Sequence, residues 1–221
     1  MSHSKDPPGG FASPPCFMHE LDPEYAGMGS VDDQTAIDVA KWRKGERKRL
    51  IDQRLAVPAK LRARAAERLA DRLNHEAGSV EDQIVGIYWP FRGEPDLRAW
   101  GNHAIAQGAR LALPVVVEKR KPLVFRRWAP GDKLEKGVWN IPVPSDGVEV
   151  VPNIVVAPLV GFDQAGFRLG YGGGLYDRTL ASMTSRPLTI GVGFGFARLE
   201  TIFPQWHDIA MDRLIIEDIQ Y

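Results

Sequence analysis

Between Gly166 and Gly174 the chain places five glycines in nine residues and then runs directly into Leu175, Tyr176, Asp177 and Arg178. Glycine tolerates positive φ and lets ligand oxygens approach backbone N–H groups, and a helix starting just past the loop adds a favourable potential for an anion. A plain strand-to-helix turn needs one or two glycines. Gly170, Gly172, Gly173 and Gly174 exceed that need, so the loop is read as a phosphate cradle. Two common phosphate fingerprints do not fit it. Gly161 and Gly166 have the Walker spacing, but Phe167 and Arg168 follow where Lys and Ser or Thr are required. A dinucleotide fingerprint aligned on Gly170 and Gly172 meets Leu175 where a small residue is needed, and it sits late in the chain rather than after the first strand.

Charged residues near this loop extend the chemistry. Asp177, three residues past the last glycine, is within reach of a phosphate-bound Mg²⁺. As a helix-start charge alone it would contribute under about 1 kcal/mol. Arg168 offers a planar fork for phosphate, or else a surface ion pair. Arg43, Arg47 and Arg54 are spaced by four and seven, which places them on one stripe of a helix. A run of this kind is ordinarily a solvated basic face. Glu94, in "IYWPFRGEPD", lies at the edge of a crevice or simply opens a helix from Pro95. Tyr88, Trp89 and Phe91 beside it are an aromatic wall or core. Trp139, in "GVWNIPVP", read by itself packs an irregular loop.

Positioning such groups requires regular elements. Helices are expected from Thr35 to about Val57 and from Ala59 to about His75, with Pro58 opening the second. The pattern then changes to short apolar runs: "QIVGIYW", "RLALPVVV", "PLVFRRW", "NIVVAPLV", "LTIGVGF" and "RLIIE". Several are β-branched throughout without polar alternation, as in strands covered on both faces. Helical stretches fit at Pro95 to Gln107 and Leu175 to Ser182. Strands alternating with helices imply a three-layer α/β fold, a mostly parallel sheet with helices on both faces, whose ligands bind beyond the carboxyl ends of strands. The organisation expected is a single domain at 34–221 behind a mobile N-terminal extension at 1–33. That extension is rich in turn formers, and its Cys16 and His19 are too few for a metal site.

Composition bounds the partners. The chain has 221 residues, 44% of them hydrophobic, enough for a sizeable core. Basic and acidic side chains both number 28, so the balanced charge argues against a general nucleic-acid or membrane-surface binder. A single cysteine excludes an intramolecular disulfide, and no apolar run or basic leader suggests a span or secretory signal. A cytoplasmic location is expected.

The stretch "APLVGFDQAGFRLGYGGGLYDR" resembles the signature of the 5-formyltetrahydrofolate cyclo-ligases, also called methenyltetrahydrofolate synthetases. Three further blocks follow that family's order: the basic "WRKGERKRL" helix, "IYWPFRGEPD" and "WNIPVP". The resemblance covers about Trp42 to Glu217. It implies ATP and 5-formyltetrahydrofolate as substrates, the latter with or without a polyglutamate tail, and Mg²⁺ as cofactor. It places ATP against Arg43, Arg47, Arg168, Gly170, Tyr171, Gly172, Gly173, Gly174, Leu175 and Asp177, with Asp177 as metal ligand. Arg54 keeps the solvated reading. It places folate against Tyr88, Glu94, Trp139 and Tyr176, with Glu94 beside the formyl-bearing region and Trp139 under the pterin. Catalytic roles fall on Glu94, Arg168 and Tyr176.

Such a ligase in one-carbon metabolism would convert 5-formyltetrahydrofolate and MgATP to 5,10-methenyltetrahydrofolate, ADP and phosphate through a phosphorylated formyl intermediate. The sequence departs from the pattern at Leu175, where an aromatic is usual, and at Ile216, where Thr is expected. Those departures keep two alternatives in view: a folate- or nucleotide-binding paralogue without turnover, and an ATP-dependent enzyme acting on another N-formyl or amide substrate.

Overall fold

The computed structural model describes residues 33–220. The expected extension, Cys16 and His19 included, lies outside the described residues except for Asp33. Two helices open the fold, α1 (Asp33–Ala56) and α2 (Ala59–Glu76). Pro58 divides them as expected, with its fixed φ of −55° and its carbonyl accepting the first N–H groups of α2. Then come β1 (Ile84–Gly86), α3 (Arg98–Ala106), β2 (Arg110–Val115), β3 (Val124–Arg127), β4 (Leu134–Lys136), β5 (Pro142–Pro144) and β6 (Glu149–Val150). The chain closes with β7 (Ile154–Pro158), β8 (Gly161–Phe162), β9 (Arg168–Leu169), α4 (Leu175–Ser182), β10 (Leu188–Phe194) and β11 (Arg213–Glu217).

All six apolar runs become strands of one seven-stranded sheet, ordered β11-β10-β7-β1-β2-β3-β6. The pairings from β11 to β2 are parallel, and those of β3 with β2 and β6 are antiparallel. The seventh strand, β6, is two residues long and gave no periodic signal. α3 begins three residues later than expected. Pro95 is held outside it because its carbonyl accepts the buried Tyr88 hydroxyl, and the Asp96 carboxylate accepts the Arg98 N–H at 3.1 Å.

Two hydrophobic layers make the sandwich. On one face, Leu69 and Leu73 of α2 and Trp100 of α3 pack with Val85, Leu111, Ile154, Ile190 and Ile215. On the other, Tyr176, Leu180 and Met183 in and just after α4 cover Ala112, Val155 and Ala157. From β1 the chain moves one way across the sheet through α3, and from β7 the other way through α4. Crossovers of one hand then lie on opposite faces, and their connecting loops diverge at the carboxyl ends of β1 and β7.

Candidate functional site

A single cleft opens at that divergence, enclosing about 1400 Å³ with its mouth included. Every residue that the resemblance places against a ligand lines it: Arg43, Arg47, Tyr88, Glu94, Trp139, Arg168, the run Gly170 to Leu175, Tyr176 and Asp177. These come from α1, the loop after β1, the β4–β5 hairpin and the loop into α4. Leu113, Pro158, His207 and Asp208 also line it.

The glycine loop rests on a scaffold built before it. Asp163 is buried, and its Oδ1 accepts the N–H groups of Ala165 and Phe167 while Oδ2 accepts that of Ile202. Gly166, at φ 87°, turns the chain back through β9, and its carbonyl accepts the Met211 N–H. Gly172 and Gly174 adopt φ of 101° and 58°, conformations that L side chains rarely hold, and Gly174 precedes the first residue of α4. Arg47 Nε donates to the Gly170 carbonyl at 2.7 Å, and Arg178 donates to that of Gly173.

At the start of α4 the charges are buried and paired. Arg168 Nη2 donates to Asp177 Oδ2 at 2.7 Å, and Asp177 Oδ1 accepts the Ile209 N–H. Arg168 Nε is buried with no hydrogen-bond partner among the described residues. Its guanidinium carbon lies 5.1 Å from the centre of the Tyr176 ring. Burial of the cleft pushes the Tyr176 hydroxyl well up, so it stays protonated at neutral pH. Burial also pulls His207 below the ordinary imidazole range.

Arg43 and Arg54 are not surface cations. Arg43 Nε donates to the Ile202 carbonyl at 2.9 Å and Nη2 to that of Phe203 at 2.8 Å, and the guanidinium ion-pairs with Asp208. The solvated reading of Arg54 is overturned. It is 3% exposed, donating from Nε to the Arg92 carbonyl and from Nη1 to the Leu159 carbonyl. The stripe faces inward because α1 lies against the loops at the strand ends, where unpaired carbonyls need donors.

Glu94 sits in a tight turn formed by Arg92 and Gly93, both at positive φ. Its Oε2 accepts the Phe91 N–H and its Oε1 the Tyr171 hydroxyl, each at 2.9 Å. Burial raises its carboxyl from 4.5 to about 7, against the opposing pull of Arg54. The carboxyl therefore titrates near neutral pH.

Trp139 reaches the cleft from the tip of the β4–β5 hairpin. It holds φ 58° and ψ 23°, and Asn140 follows at φ 58°. Two consecutive left-handed non-glycine residues are a costly arrangement, and such strain gathers at ligand sites. Of the two departures from the family pattern, Leu175 lines the cleft. Ile216, on β11 opposite Gly193, packs instead with the Leu50 and Leu159 cluster.

Among the described residues no group of three or more His, Cys, Asp or Glu side chains converges to hold a metal. Asp177, in the first turn of α4, offers its carboxylate where the glycine loop ends. Mg²⁺ that travels with nucleotide phosphates commonly takes one or two carboxylates and keeps its waters. A carboxylate with two engaged oxygens retains lone pairs for that arrangement. No helix of the described residues is long and apolar enough to cross a membrane.

Comparison with known proteins is consistent across sequence and structure. Residues 39–217 match the model of the 5-formyltetrahydrofolate cyclo-ligase family. The 5-formyltetrahydrofolate cyclo-ligase of Mycolicibacterium smegmatis is 29% identical over 174 residues, covering 75% of this chain and 89% of that protein. The protein of the same name from Haemophilus influenzae is 29% identical over 139 residues, 60% of this chain and 74% of its own length. The structure of Aquifex aeolicus 5,10-methenyltetrahydrofolate synthetase superposes with a TM-score of 0.67 at 27% identity, covering 79% of this chain and 89% of that one. A Mycoplasma pneumoniae 5,10-methenyltetrahydrofolate synthetase, at 18% identity and TM-score 0.64, shares the fold.

Proposed function

The chain belongs to the 5-formyltetrahydrofolate cyclo-ligase family, ligases of folate metabolism, and on that premise we propose that it converts 5-formyltetrahydrofolate and ATP to 5,10-methenyltetrahydrofolate, ADP and phosphate. One observation carries the proposal: a single cleft is lined both by Glu94 and Trp139 and by the glycine loop, Arg168 and Asp177. Two ligands can meet there in line.

A formamide oxygen is a poor leaving group. Transfer of the ATP γ-phosphoryl to the formyl oxygen breaks the bond to ADP and gives an imidate phosphate. N10 of the folate then attacks the formyl carbon, loses its proton, and the C–O bond breaks to expel phosphate. The product is the cyclic methenyl cation.

The chain's groups divide between these steps. The glycine loop from Gly170 to Gly174, braced by Arg47, cradles the phosphates, with Leu175 at its end. Arg168 lines the cleft and holds charge on the transferring phosphoryl. Arg43, already committed to Ile202, Phe203 and Asp208, shapes the loop wall more than it contacts phosphate. Trp139 stacks on the pterin, with Tyr88 and Tyr176 completing the wall. Glu94, ionised above about pH 7, faces the formyl carbon as positive charge develops on it. Asp177 would hold Mg²⁺, which neutralises phosphate charge when bound. With both ligands bound, the cleft must exclude water that would consume the intermediate.

The catalytic unit is proposed to be residues 34–221, acting in the cytoplasm, with 1–33 outside it. Incubating the protein with 5-formyltetrahydrofolate and MgATP should produce the near-ultraviolet absorption of the methenyl product, and omission of ATP should abolish it. Absence of that band under saturating substrates overturns the reading.

A further inference from the structure

The residue between the first two glycines of the phosphate loop does not look toward a phosphate. Tyr171 turns its ring back against Phe91, with centroids 5.8 Å apart, and its hydroxyl reaches Glu94, 77 positions earlier in the chain. That hydroxyl has two charged neighbours. Arg54 Nη2 donates to it at 2.6 Å, and Glu94 Oε1 accepts from it at 2.9 Å. An arginine has no acceptor, so the tyrosine oxygen must receive that bond and its own proton points to the carboxylate. Arg54 Nη2 itself stands 4.0 Å from Glu94 Oε1. The hydroxyl is the intermediary between a buried cation and a buried anion.

We propose that Tyr171 is a positioning residue for cyclisation: with Arg54 fixing its hydroxyl, it aims Glu94 at the formyl region and favours the ionised carboxylate, tying the glycine loop to the substrate-facing end of the cleft. This rests on the proposed cyclo-ligase reading for the role of Glu94. The assignment of Tyr171 to nucleotide contact from its place in the loop does not account for the direction of its hydroxyl.

The physical need is plain. A carboxylate buried to 6% exposure keeps its charge only where donors compensate the lost water. Glu94 has two direct donors, the Phe91 N–H and the Tyr171 hydroxyl. The groups facing it are Arg54 from α1, Tyr171 from the glycine loop, Tyr176 from α4, Tyr88 after β1, and Arg92 of its own turn, whose guanidinium lies over the Phe91 ring. The tyrosines are neutral at neutral pH, because burial raises all three. Burial drives the Glu94 carboxyl up, and Arg54, the Phe91 N–H and Tyr171 each draw it back. Loss of the hydroxyl removes one of those opposing contributions.

Tyr171→Phe keeps the ring and its packing on Phe91 but takes an acceptor from buried Arg54. It should therefore stay folded and melt below wild type by the equivalent of one buried hydrogen bond, and rates are compared at a temperature where both proteins are folded. Its rate of methenyl formation at saturating MgATP should follow a pH profile displaced upward by about one unit. The variant would be roughly tenfold slower below pH 7 and close to wild type near pH 9, with an unchanged KM for ATP. A profile with the same midpoint, or one displaced downward, overturns the proposal, as does a uniform loss of rate at every pH. A second readout does not depend on turnover. The Glu94 carboxyl resonance, assigned by its disappearance in Glu94→Gln, is titrated by carbon-13 NMR in the free protein. It should titrate higher in Tyr171→Phe than in wild type, and equal titrations overturn the coupling. If wild type forms no methenyl product the function assigned to the cleft fails, and the NMR titration still judges the link between Tyr171 and Glu94.

Discussion

Arg168 and Asp177 form a buried ion pair across the end of the glycine loop, with Nη2 and Oδ2 2.7 Å apart and side-chain exposures of 5% and 8%. This changes the stability expected of Asp177. As an exposed helix-start charge it would be worth under about 1 kcal/mol, but removing one member of a buried pair leaves the other uncompensated, at a cost of about 3–5 kcal/mol. Asp177→Asn should therefore melt well below wild type. Urea unfolding checks it, and a loss under about 1 kcal/mol would show that Arg168 finds another partner. A Mg²⁺ titration of turnover at a temperature where the variant stays folded separates the metal role. Its half-saturation should rise, and an unchanged one removes Asp177 from metal binding.

Glu94 gives a prediction with a definite sign. Its folded carboxyl stands near 7, above the ordinary 4.5. Between those values the folded state binds more protons than the unfolded chain, so this group's stabilising contribution is full below about pH 4.5 and is lost as pH rises through about 7. Glu94→Gln lacks that penalty. Relative to wild type it should gain stability from about pH 5 to about pH 8, on the order of 2 kcal/mol, while losing most turnover with little change in ATP affinity. Parallel melts across this range test it, and parallel curves for the two proteins would exclude a raised Glu94.

Residues 1–33 fall outside the proposed catalytic unit. Deleting them should leave kcat and the KM for folate within about twofold of wild type. A truncated protein that melts normally but binds folate poorly would bring "PCFMHELDPEY" into the site.

What the sequence made legible follows local periodicity. α4 was expected at Leu175 to Ser182 and forms there, because the last glycine ends the loop and the apolar positions 176, 180 and 183 face the sheet. The strands β4, β5, β8 and β9 were not visible, since two or three residues carry no period and pair only through the hairpins that bring them together. The burial of Arg54 is invisible in the sequence for a similar reason. Its partners lie 38, 105 and 117 positions away, and nothing in a helical charge run distinguishes a buried arginine from a solvated one. His207 carries no periodic signal, because only the path from β10 to β11 brings it to the cleft. The dipeptide His207-Asp208, next to an expected strand, was the available signal.

Trp139 joins strain to binding, and one substitution separates them. At φ 58° the residue occupies backbone space open to glycine without penalty, and relieving it should return up to about 1 kcal/mol. Replacing the side chain also removes the flat surface proposed to meet the pterin, and loss of one aromatic stacking partner costs about 0.5–1.5 kcal/mol beyond the buried area. Trp139→Gly should therefore melt no lower than wild type within about 1 kcal/mol, yet raise the KM for 5-formyltetrahydrofolate by about tenfold or more. The KM for ATP should hold, because the groups proposed to meet the nucleotide are the glycine loop, Arg168 and Asp177, not Trp139. Trp139→Ala controls for the strain: it loses the same ring but keeps a Cβ in the left-handed region, so it should show the same folate defect with a lower melting temperature than Trp139→Gly. Unaltered folate KM in both variants would make Trp139 a hairpin-packing residue. A folate defect in Trp139→Ala alone would assign it to backbone geometry rather than to stacking.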